Sequence, residues 1–129
     1  MWQSFAIQQS VAPQLIGKTY ELIEYSNGYV KKYNDGTFDS YRITTFESGE
    51  LSFTVAEGIG YARFTNFGIG ITATETTEIS GIANNSGIAW LASPSVGTGM
   101  DTIDGYIAQI GSDNRRPTTL RVHVTGKWK

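Results

Sequence analysis

The chain has 129 residues, a formal net charge of −2 and no cysteine. One domain of that length buries roughly two thirds of its unfolded surface without covalent staples, its near-neutral charge supplies no overall field for nucleic acid or an anionic membrane, and the missing thiols remove disulfides, thiolate chemistry and cysteine-based zinc sites together. No run approaches the ~18 apolar residues of a spanning helix, and Met1-Trp2-Gln3-Ser4-Phe5 lacks the basic region and apolar block of a secretory signal, so the sequence predicts neither membrane insertion nor a leader.

Residues 1–18 read as an N-terminal connector. Trp2, Phe5 and Ala6 make a short helical stripe that Pro13 stops. Gly17-Lys18-Thr19 resembles the tail of a phosphate-binding loop, but that motif needs a glycine five residues earlier, where Ala12 stands.

From Thr19 the punctuation becomes regular. Tyr20 to Tyr25, Tyr29 to Tyr33, Thr37 to Phe46 and Leu51 to Val55 are rich in Tyr, Val, Ile, Thr and Phe, and between them lie Asn27-Gly28, Asn34-Asp35-Gly36 and Glu47-Ser48-Gly49-Glu50. Asn-Gly and Asp-Gly supply the positive φ of tight hairpin turns, so the spacing predicts a four-stranded meander. Tyr29, Lys31 and Tyr33 fall on one face of the second strand with Val30 and Lys32 opposite, a mixed pattern that suits a sheet edge or an interface.

Further strands are predicted at Tyr61 to Phe67, Ile69 to Thr77 with continuation through Ile79 to Ile82, Ile88 to Leu91, and Thr102 to Ile110. Loops follow at Asn84 to Gly87, Ser93 to Asp101 and Gly111 to Pro117. The three Gly-x-Gly pairs lack the strand-to-helix setting of a nucleotide site and read as bulges and bends. The last stretch has the clearest signal. Leu120, Val122, Val124, Gly126 and Trp128 alternate with Arg121, His123, Thr125 and Lys127, the period of a half-buried strand that closes a sheet and carries Trp128 into the core. The total is about nine strands and no helix.

Two of these stretches carry a resemblance. Tyr29-Val30-Lys31-Lys32-Tyr33-Asn34-Asp35-Gly36-Thr37-Phe38, together with Arg121-Val122-His123-Val124-Thr125-Gly126-Lys127-Trp128-Lys129, resembles the carboxy-terminal head domains of tail-fibre and baseplate receptor-binding proteins from long-tailed phages and prophages of Gram-positive bacteria. Lys127 stands where that pattern usually has arginine, and Phe38-Asp39-Ser40-Tyr41 replaces a more acidic, tryptophan-containing run. The resemblance implies an antiparallel β-sandwich, jelly-roll-like, over residues 19–129, assembled as a homotrimer at the tail tip of a virion made in the host cytoplasm. It also implies adhesion to a cell-surface saccharide or teichoic acid of a Gram-positive host, and contact with other tail proteins through the N-terminal segment. No cofactor is implied.

The residues themselves supply candidates. A saccharide site combines a flat aromatic with hydrogen-bonding side chains on rigid strands and loops, and Trp90, Tyr106, Asp101 and Asp104 offer these groups around the longest loop. Ile88, Trp90 and Ala92 alternate with Ala89 and Leu91, which also fits a buried strand with Trp90 in the core. His123, the only histidine, lies on the polar face of the last strand as a solvated or interface residue. Arg115, Arg116, Arg121, Lys127 and Lys129 gather five of the ten basic residues into the last stretch, either as a cationic strand edge or as a grip on polymer phosphate. Asp101 with Asp104, or Asp39 with Glu47, are the carboxylate pairs a glycan-cleaving depolymerase would need. The reading favoured is non-enzymatic adhesion; a depolymerase, a purely structural baseplate or decoration protein and a stand-alone lectin are the alternatives.

Overall fold

The computed structural model describes residues 19–111 and 117–129. The predicted connector and the pair Arg115 and Arg116 lie outside them. Nine strands follow in order: β1 (Tyr20–Tyr25), β2 (Gly28–Tyr33), β3 (Thr37–Phe46), β4 (Thr54–Ala56), β5 (Ile59–Gly68), β6 (Glu75–Asn84), β7 (Ala89–Val96), β8 (Thr102–Ile110) and β9 (Thr118–Lys127). They pair antiparallel in two sheets, ordered β1-β2-β3-β9-β6 and β4-β5-β8-β7. Among the described residues there is no helix. The all-β fold expected from the turn spacing forms, in the antiparallel sandwich that the resemblance implies.

The terminal alternation does what its period demands. Leu120, Val122 and Val124 of β9 are buried, Arg121 is exposed, and His123 and Thr125 face outward at intermediate exposure. Together with Phe38 these inward residues meet Ala62 and Phe64 of β5 and Ile103 and Ile107 of β8 in one core. Strand β9 lies inside its sheet, paired over Thr37–Phe46 on one side and Glu75–Asn84 on the other. At Gly126 two strands crowd in, and an added Cβ would run into the Glu75 carbonyl oxygen.

Trp128 is half-buried and packs on the margin of this core. Its backbone N–H donates to the Gly36 carbonyl (2.8 Å) and its indole Nε1–H to the Tyr33 carbonyl (2.9 Å), while Lys32 and Lys129 place ammonium groups 4.2 and 4.9 Å from its ring centroid. The last residues are thereby tied to the β2–β3 turn, so the two stretches that carry the family resemblance touch each other.

Three expectations are corrected. The meander has three strands, because β9 occupies the edge of β3 that a fourth would need; Leu51 turns into the core instead, and the short β4 joins the other sheet. Ile69 to Thr74 is irregular although its apolar residues alternate. Ile69 and Ala73 are buried, but the backbone bonds of this stretch go to the Asp101, Met100 and Lys127 carbonyls and form no ladder. Strand β7 runs on through Pro94, inside the predicted loop. It is an edge strand, and the register breaks between Ala92 and Ser95, so the missing proline N–H costs no regular ladder bond.

Core and surface positions should behave differently. Leu120→Ala is expected to lower unfolding free energy by ~2–5 kcal/mol, whereas Ile110→Ala, 57% exposed at the end of β8, should stay within about 0.5 kcal/mol. Urea unfolding of the two variants measures the contrast.

Candidate functional site

The outward face of the four-stranded sheet collects aromatic and charged groups. On β8 the residues Ile103, Gly105 and Ile107 are buried, so by strand alternation Asp104, Tyr106 and Ala108 face out. Ala108 is in register with Tyr61 of β5 on one side and Trp90 of β7 on the other. The small residue forms the floor of a trough, buried between two larger side chains that remain accessible, Tyr61 at 38% and Trp90 at 39%. Tyr106 meets Tyr61 edge to face with ring centroids 6.1 Å apart. One residue pair further along β8, Asp104 accepts from the Asn66 backbone N–H (3.0 Å) and lies 3.5 Å from the Arg63 guanidinium.

Trp90 is therefore not a core residue, as its apolar neighbours had suggested. Ala89 and Leu91 take the inward positions, Leu91 filling the space left by Gly81 on β6, and Trp90 turns outward. Asp101 stands exposed just before β8, its carbonyl accepting from Ile69 N–H. Trp90, Tyr106 and Asp104 come together on one face, with Tyr61 and Arg63 added. Alternation on β5 was a usable signal for both, but only the pairing of β5 with β8 brings them to this place.

His123 and Arg121 lie on the other side of the molecule, facing out from the five-stranded sheet. There His123 is in register with Tyr41 and Ser80. Tyr29 and Tyr41 sit 5.7 Å apart, Tyr20 and Tyr33 5.4 Å apart, and the Lys31 ammonium lies 5.2 Å from Tyr20 and 5.8 Å from Tyr29. The Tyr33 hydroxyl donates to Asp39 (3.2 Å). The sequence showed the mixed face of β2; its extension through Tyr41 to His123 depends on the β3–β9 pairing.

The two proposed carboxylate pairs differ in their settings. Asp39 and Glu47 are eight positions apart along β3 and its following turn, about 26 Å at the rise of an extended strand, well beyond the ~6.5–9.5 Å of an inverting pair. Asp104 is held by Arg63 and Asn66. Among the described residues no three His, Asp or Glu side chains converge on a point that could hold a metal ion.

The fold resembles that of pyocin tail fibres. One such structure, the P. aeruginosa R1 pyocin fibre comprising C-terminal residues 323–701, matches with a TM-score of 0.58 and 14% identity over 95% of this chain and 32% of that one. A second, an N-truncated R1-type pyocin tail fibre, matches with a TM-score of 0.51 and 12% identity over 96% of this chain and 99% of that one. This chain thus spans about a third of the length of the first. At this identity the likeness concerns the fold, and pyocin fibres lend the Gram-positive origin no support. No protein-family model and no curated protein sequence matches the chain.

Burial, followed by the Asp39 carboxylate and its hydrogen bond, pushes the Tyr33 phenol up from 10.0 to about 12. The folded state keeps this proton more tightly than the unfolded chain does. The stabilisation is therefore full below pH 10 and is lost as pH rises from 10 towards 12. Ring-carbon NMR should show Tyr33 ionising late, and Asp39→Asn should bring its midpoint down towards the ordinary value.

Proposed function

We propose that the chain is the receptor-binding domain of a phage-tail-type fibre, adhering without catalysis to a saccharide on a bacterial cell surface. The observation that carries this reading is the likeness of nearly the whole chain to a fibre structure made of C-terminal residues, because the cell-facing end of a fibre is where recognition resides. The trough on the four-stranded sheet provides the chemistry. Sugar rings offer apolar C–H faces and a fringe of hydroxyls, and Trp90 and Tyr61 offer flat apolar walls beside Arg63 and Asp104. In this reading the domain is part of the virion tail and reaches other tail proteins through its N-terminal segment.

The same reading makes the domain a homotrimer, with the tyrosine-rich face around Tyr29 to Tyr33 directed to neighbouring copies. Those tyrosines, with Leu22 and Ile82, give that face the apolar area that obligate interfaces absorb. Multi-angle light scattering should return three times the single-chain mass of 14.1 kDa; a single-chain mass at every concentration rules out the trimer.

Adhesion and folding should separate at the two tryptophans. Trp128→Ala removes a packed ring and the hydrogen bond to Tyr33, and is expected to cost up to about 3–5 kcal/mol. Trp90→Ala and Tyr61→Ala should leave the melting temperature nearly unchanged while weakening binding to host cells by roughly tenfold or more, the loss typical of an anchoring aromatic. Melting curves and whole-cell binding on the same preparations decide it. Undiminished adsorption by both trough variants would sink the site.

A further inference from the structure

The β1–β2 hairpin is shorter than the strand it lies on. Gly28 pairs with Arg42, and Ile43 N–H donates to the Asn27 carbonyl (2.8 Å), so Thr44 to Phe46 of β3 extend past the hairpin's tip. On the facing sheet β5 breaks its register between Phe64 and Phe67, with Asn66 at φ +58°. These two irregularities leave a cleft of about 200 Å³ on the flank of the sandwich. Asn27, Arg42 and Thr44 line one wall and Thr65, Asn66 and Phe67 the other; no carboxylate is among the lining residues.

Arg42 is held in place by its neighbours. Its Nη2 donates to Asn27 Oδ1 (2.8 Å), and its guanidinium carbon lies 4.4 Å from the centroid of the Tyr25 ring. The Tyr25 hydroxyl is fixed in turn by the Gly70 carbonyl (2.9 Å), and a Cβ at Gly70 would come within 2.8 Å of Arg42 Nη1. Arg42 Nε is buried with no hydrogen-bond partner. Among the described residues the ion pairs are Arg63–Asp104 and Lys127–Glu75, and neither reaches Arg42. A half-buried guanidinium without a counter-charge is costly unless an anion arrives from outside. The opposite wall is also fixed: Asn66 keeps its left-handed backbone, uncommon for a residue other than glycine, through its N–H to Asp104.

We infer that this cleft binds one anionic sugar unit, with Arg42 on its carboxylate or phosphate. Thr44, Thr65 and Asn66 supply donors and acceptors for ring hydroxyls, and Phe67 supplies an apolar surface for the ring face. The volume is below the ~300–1,000 Å³ of sites for drug-sized ligands, which fits a single ring rather than an oligosaccharide. The inference stands apart from the aromatic trough, which lies on the outer face of the four-stranded sheet.

Amide NMR titrations of the whole chain with glucuronate, glucose 6-phosphate and glucose test it. The acids should give saturable shifts at Thr65, Asn66 and Gly68, and glucose should give none. A response to only one acid identifies the anion as carboxylate or phosphate and upholds the site. Arg42→Gln should weaken acid binding at least about tenfold, the loss of a charge-assisted contact. Asn66→Gly keeps the positive φ without strain and should also weaken binding, so the test survives if Arg42→Gln does not fold. Trp90→Ala should leave these titrations unchanged, which separates failure here from failure of the trough. No saturable shift with either acid, equal shifts with glucose, shifts confined to other residues, or full affinity in folded Arg42→Gln or Asn66→Gly would overturn the inference.

Discussion

The pairing of β9 between β3 and β6 is the interaction on which the rest of the molecule depends. It joins residues 37–46 to residues 118–127, contacts distant in sequence whose closure entropy rises only slowly with separation but which slow folding. Once made, it settles three other things. It denies β3 a fourth meander strand, sending Leu51 into the core and β4 to the opposite sheet. It provides the second edge on which β6 forms. It also brings Trp128 to the Tyr33 and Gly36 carbonyls, so that the chain after β9 is pinned to the β2–β3 turn rather than left free.

What could be read from residues alone follows from this division. Strand existence was legible wherever side chains alternate and turns are spelled out, as at Asn27-Gly28, Asp35-Gly36 and Leu120 to Val124, because those signals are local. Strand order was not, because two edges compete for one partner and nothing local ranks them. Ile69 to Ala73 shows the limit of periodicity. Its residues alternate because Ile69 and Ala73 enter the core edge, while their backbone groups bond to Met100 and Asp101 in a loop.

The candidate site was legible in part for the same reason. At Ile88 to Ala92 both alternating sets are apolar, so the pattern cannot say which face is inward; Leu91 against Gly81 decides it and turns Trp90 out. Tyr106 and Asp104 share parity on β8 and so fell together. His123 and Arg121 belong to the opposite face, and Arg42 gave no sequence signal, because its distinction is that no counter-charge reaches it among the described residues.

The two outward faces and the flank cleft differ in how their polar groups are satisfied, and that difference orders their roles. On the tyrosine face Lys31 lies over two rings and the Tyr33 hydroxyl is bonded to Asp39. A surface that pairs its own polar groups loses little on being covered, which suits contact with another protein copy. In the trough Arg63 and Asp104 are joined to each other beside accessible aromatic walls, which suits a ligand that brings hydroxyls and an apolar ring face but no net charge. In the cleft the Arg42 charge has no acidic partner among the described residues. A neutral ligand there would leave the desolvation cost of the guanidinium in place, whereas an anion would remove it, so the protein's own electrostatics favour an uncharged ligand over an anion in the trough and the reverse in the cleft.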